Sequence, residues 1–146
     1  MSNSKQFAIV DTLCNKICNE SKIRFCGVIN AMGRLVSGSF RDGILPLDTD
    51  QQRQMLYMQS KLELSMKNEF NANLGHVNYI LTYRDNLVII NIPIKNQDYH
   101  ILISAERIAD VQKIAERTIR LFEDDSIFSN KNNQNIIEKD NLTVKN

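Results

Sequence analysis

Leu87-Val88-Ile89-Ile90-Asn91-Ile92-Pro93-Ile94 is the most apolar run in the chain. Apolar residues fill both parities from Leu87 to Ile90, so a strand built from it needs cover on both faces. The run is far short of the ~20 residues that span a bilayer. It therefore reads as the interior strand of a sheet with helices on both sides. Strand-like runs flank it, His76 to Tyr83 before and Tyr99 to Ser104 after. Arg84-Asp85-Asn86 and Lys95-Asn96-Gln97-Asp98 are polar connections short enough for hairpins, so the three runs pair antiparallel.

Upstream, Ile23 to Asn30 and Arg34 to Phe40 read as two further strands around a turn at Gly33, which supplies positive φ at little cost. Gly27 and Gly38, inside those strands, mark bulges or close backbone approach. Three helices complete the pattern. Phe7, Val10, Leu13 or Cys14, and Ile17 give a helical face over about Ser4 to Asn19. Thr49-Asp50-Gln51-Gln52 matches a capping box opening a helix that runs to about Phe70. Ile108, Val111, Ile114 or Ala115, and Ile119 or Phe122 face inward on a last helix over about Arg107 to Glu123. The expected fold is α+β, a five-stranded antiparallel sheet with helices on both faces, in the order α-β-β-α-β-β-β-α. The middle helix covers one face and the terminal helices the other. Residues 1–123 form the domain. Residues 124–146, rich in Asn, Lys and Asp, read as a polar, mostly disordered tail.

Composition excludes several functions. With 146 residues and 42% hydrophobic content, the chain can build one substantial core without disulfides or metals. A formal charge of +1 offers no field for nucleic acid or an anionic membrane. Aromatics are 7% and Trp is absent, so base-stacking platforms are few. Three cysteines, Cys14, Cys18 and Cys26, are an odd number and lack zinc-ribbon spacing. They read as reduced, metal-free, small buried groups in a cytoplasmic protein. The polar start Met1-Ser2-Asn3-Ser4-Lys5-Gln6 does not resemble a signal peptide. His76 and His100 read as surface or rim residues. No Gly-x-Ser-x-Gly, P-loop, dinucleotide fingerprint or carboxylate pair is present, so no catalytic residue, cofactor or metal is assigned.

Two features concern association. The middle helix carries Met55, Met58, Leu62, Met66 and Phe70 as a stripe, expected to pack on the sheet. Leu56, Tyr57 and Leu64 lie off that stripe, and the broad apolar arc suggests a second packed surface. The run Val77 to Tyr83 ends the meander as a sheet edge without Pro or Lys, and such an edge pairs readily with another chain. Leu56, Tyr57, Leu64, Val77 and Tyr79 are the candidate interface residues of a homodimer.

The strand Phe25 to Asn30, the Gly33 hairpin, the helix from Asp48 to Phe70, the three-strand block and the closing helix together resemble the roadblock/dynein light chain family, within the roadblock–longin–profilin-like group. The likeness rests on order, lengths and turn positions over about Ser4 to Glu123. It implies a dimeric, non-catalytic scaffold or regulator, with a small Ras-like GTPase or another signalling protein as partner. Within the same architecture the alternative is a ligand sensor resembling PAS or GAF domains, to be told apart by a pocket larger than packing defects. A small enzyme is the third and weakest reading.

Overall fold

The computed structural model describes residues 7–128. Residues 1–6, and 129–146 of the expected tail, lie outside the described residues.

Helix α1 (Ala8–Cys18) leads into β1 (Ile23–Ile29) and β2 (Leu35–Phe40). Helix α2 (Asp50–Lys67) follows, extended by a 3-10 turn (Asn68–Phe70) and a single helical turn, α3 (Asn71–Leu74). Then come β3 (Ile80–Tyr83), β4 (Val88–Pro93), β5 (His100–Ala105), α4 (Val111–Leu121) and a 3-10 turn at Asp125–Phe128. The strands form one antiparallel sheet in the order β2-β1-β5-β4-β3. The expected class and order are therefore present, and the apolar run at 87–94 is internal. Val88, Ile90 and Ile92 are buried on one face, Ile89 and Asn91 on the other.

Helices α1 and α4 close the first face. Val10, Cys14 and Ile17 meet Cys26, Val28, Ile90, Ile101 and Ile103, while Val111, Ala115 and Phe122 complete the layer. Ile127 and Phe128, which follow the expected domain boundary at 123, are also buried in this layer. Phe128 stacks on Tyr99 and Phe122 at ring separations of 5.0 and 5.9 Å. On the second face the core is smaller, with Phe25, Ile29, Ile89 and Leu102 of the sheet meeting Tyr57 of α2.

Local chemistry sets the boundaries. The Thr49 side chain accepts from the Gln52 amide at 3.1 Å, and the Thr49 amide donates to Gln52 Oε1 at 2.9 Å, so the expected capping box is complete. At the β1–β2 turn, Asn30 Oδ1 accepts from the amides of Met32 and Arg34, and Gly33 sits at φ 76°. A Cβ on Gly33 would lie 3.0 Å from Met58 Cα, so the turn packs directly on α2. Gly38, at φ 128°, pairs with Gly27, and a Cβ there would lie 2.3 Å from both Cys26 O and Gly27 Cα. That approach is the close backbone contact expected of these glycines.

Gly38→Ala should destabilise the chain by about 3 kcal/mol, because strained backbone and a clash with main-chain atoms act together. At Gly43, φ is also positive, but among the described residues no neighbouring atom lies within 4 Å of where a Cβ would stand. Gly43→Ala should therefore cost only about 1 kcal/mol. Urea denaturation of both variants checks the contrast, and equal losses would count against it.

Candidate interaction surface

Helix α2 has two apolar faces, and their roles are exchanged relative to the sequence reading. Tyr57 and Leu64, expected toward a partner, are each 5% exposed and turn toward the chain's own sheet. Leu56 is half-buried against the Phe25, Ile89 and Leu102 cluster. Tyr57 stacks on Phe25 at 6.2 Å, and burial pushes its phenol up to about 12. The stripe expected on the sheet faces outward instead. Met55, Met58, Leu62, Met66 and Phe70 are 53–70% exposed, and Leu74 continues the line. Met32, in the β1–β2 turn that packs on α2, is exposed too.

The other two interface candidates, Val77 and Tyr79, precede β3 rather than belonging to it, because the strand starts at Ile80. Val77 is half-buried, and so is Tyr79, which packs against the layer formed with α1 and α4. β3 itself is at the sheet edge, paired with β4 alone among the described residues. Its Leu81 and Tyr83 are exposed, and the Arg107 guanidinium carbon lies 5.5 Å from the centroid of the Tyr83 ring. The Gly33 turn lies against Met58, and every residue of the stripe is still more than half exposed.

Two buried polar features escaped the sequence reading. His100 is 2% exposed, not a rim residue, and its Nε2 lies 2.9 Å from Ser60 Oγ of α2. Ser60 Oγ also lies 2.8 Å from the Tyr57 carbonyl oxygen, to which it can donate, and the contact with His100 pins the helix to β5. Burial, with Lys61 nearby, lowers the imidazole to about 4. A serine on an otherwise inward helical face was the available signal. The second feature is a groove of about 950 Å³ between α2 and the sheet, lined by Phe25, Leu56, Tyr57, Ile89, Asn91 and Leu102 among others. The three thiols are buried where α1, which carries Cys14 and Cys18, meets the sheet, which carries Cys26, as the packing reading expects. Contact with Cys14 and burial together hold the Cys26 thiol well above the ordinary thiol range, which keeps it unreactive. Next to them, Ser37 donates a hydrogen bond to Asp11. Among the described residues no His, Cys, Asp and Glu group could hold a metal ion, and no helix is long and apolar enough to cross a membrane.

This arrangement is a roadblock-like fold, as the sequence resemblance implied. The chain belongs to the family of unknown function DUF6659, whose profile matches residues 3–131. Among curated proteins no sequence matches it. Among solved structures it is similar to a Roadblock/LC7 domain from Streptomyces avermitilis, with TM-score 0.62 and 11% identity over 77% of this chain and 91% of that one. The gliding protein MglB from Thermus thermophilus gives TM-score 0.62 and 9% identity over 81% of this chain and 91% of that one. A structure described as MglB with tetrameric arrangement gives 0.62 and 9% over 81% and 90%.

The His100 contact predicts a pH dependence. Its folded value lies below the ordinary 6.5, so the unfolded chain binds the extra proton between those values. Stability is full above about pH 6.5 and falls as pH drops toward 4, by up to about 3 kcal/mol in total. His100→Gln should flatten that part of the stability–pH curve, measured by urea denaturation across the range. An unchanged slope would assign the acid sensitivity elsewhere.

Proposed function

We propose that the chain is a dimeric, non-catalytic interaction module, a scaffold or regulator of the roadblock kind working in the cytoplasm. The observation that carries this reading is the outward stripe of α2, Met55, Met58, Leu62, Met66 and Phe70, in a domain with an open edge at β3. A continuous exposed apolar patch of that kind marks an association surface. An open edge strand adds backbone donors and acceptors that a second copy satisfies. Two copies packing helix on helix and edge on edge present the same patch to each other, as a two-fold dimer requires. Methionine suits such a surface because it adapts its shape to an irregular partner. The similar MglB structure with its tetrameric arrangement supports self-association. The further partner that the family resemblance implies is a small Ras-like GTPase or another signalling protein.

The interface centre is placed on the outward residues. Leu56, Tyr57 and Leu64 act beneath them by seating the helix, and Val77 and Tyr79 by setting the approach to the edge strand. A stable dimer should bury at least ~1,000 Å² in total. Sedimentation at tens of micromolar should show a dimer for the parent chain. Leu62→Asp should give a folded monomer by circular dichroism, since it puts a charge into the interface but not into the core. Leu64→Asp should instead lose about 3 kcal/mol or more of stability. A monomeric parent would sink the dimer reading.

A second reading has its own support. The groove beneath α2, at about 950 Å³, exceeds a packing defect and has the size of a ligand site. It favours the small-molecule sensor weighed from the sequence. A ligand retained through purification and seen in native mass spectrometry tests it.

A further inference from the structure

The two faces of the sheet are built differently. Under α1 and α4 the strands present Cys26, Val28, Ile90 and Ile103, all fully covered. Under α2 the register aligns Thr82, Ile89, Ser104 and Phe25 in one cross-strand row, and Ile80, Asn91 and Leu102 in the next. Asn91 is 4% exposed and lines the groove. Its carboxamide oxygen is buried with no hydrogen-bond partner among the described residues. Leaving a buried polar group unpaired is costly, and such groups in native proteins ordinarily have partners.

We propose that the groove binds an uncharged, largely apolar small molecule that presents an amide-type edge, a hydrogen-bond donor beside an acceptor, to Asn91. The carboxamide offers the complementary acceptor and donors. Phe25, Leu56, Tyr57, Ile89 and Leu102 supply apolar walls. Three cationic side chains, Arg24, Arg53 and Arg84, line the groove together with three acidic ones, Asp48, Glu63 and Asp85. Arg24 pairs with Glu106 at 3.3 Å, and Arg53 with Asp48 at 3.5 Å and Asp50 at 3.1 Å. Positive and negative groups in the lining balance, so neither a ligand anion nor a cation gains much there and a neutral body fits better. The inference rests on the small-molecule reading of the groove and is independent of dimerisation.

The test uses the full chain and three probes: carbostyril, a neutral bicyclic lactam; quinoline, the same ring system with an acceptor and no N–H; and naphthoate, an anion of similar size. Amide-correlation NMR spectra follow each titration. Carbostyril should give saturable shifts at Tyr57, Ile89, Asn91 and Leu102, and bind about tenfold tighter than quinoline or naphthoate. Asn91→Leu removes the amide while keeping the volume, and should abolish that tenfold preference with quinoline binding retained. Thermal melting of the variant confirms that it is folded, and Asn91→Gln provides a second variant that keeps the amide. Absence of saturable carbostyril binding, shifts centred outside the groove, or an undiminished preference in Asn91→Leu would overturn the proposal. Native mass spectrometry of the purified chain separates the two levels: a retained charged ligand overturns the neutral amide class while leaving the sensor reading standing.

Discussion

Burial of β4 and β5 on both faces is the constraint from which the rest of the structure follows. These strands contribute Val88, Ile90, Ile101 and Ile103 to one side and Ile89 and Leu102 to the other, with almost no exposure. No single layer of helices can cover both sides. The chain therefore needs α1 and α4 on one face and α2 on the other. The first pair packs closely enough that even Ile127 and Phe128, in the 3-10 turn beyond α4, join it. The second face is closed by one helix whose inward contacts are few: Tyr57, Ser60 and Leu64, with Leu56 at the margin.

That imbalance explains which parts were legible in the sequence. The apolar run at 87–94 has two covered parities, which an interior strand satisfies, so the layer order could be read directly. The capping box at Thr49–Gln52 and the turn at Gly33 are local chemistry, and both act where their residues stand. The position of β3 at the edge followed from its place at the end of the meander, although the strand is shorter than its alternation suggested. The orientation of α2 was not legible by the same rule. Assigning the most apolar stripe to the core presumes that a helix has one buried face. Here the more continuous stripe, Met55 to Phe70, points outward, and the inward face includes a serine. Ser60 meets the imidazole of His100, 40 residues further along the chain, and helical periodicity carries no information about such a partner.

The structural neighbours make the same point from another direction. TM-scores of 0.62 accompany identities of 9–11%. At that distance the shared property is the fold, since few individual side chains are held in common. Individual residues such as Asn91 and His100 therefore have to be read from their own surroundings in this chain. The fold constrains where they stand and not what they meet.

The groove and the outward stripe are two consequences of how α2 is held. Where the opposite face presents fully covered aliphatic side chains, the floor beneath α2 includes Asn91 and Ser104, which are polar. Ser104 fills less volume than an aliphatic residue would, and polar floor residues gain little from being pressed against leucine. The helix is then fixed at a few points, by the Ser60–His100 contact, by Tyr57 on Phe25 and by Met58 against the Gly33 turn, with open volume between them. A helix seated by points has spare apolar surface on its far side, because its hydrophobic residues are not all consumed by the sheet. Filling the floor with larger aliphatic residues would occupy the groove. The polar residues in the floor thus go with open volume beneath α2, while its apolar stripe faces away from the sheet and meets the groove only at its rim, through Met55.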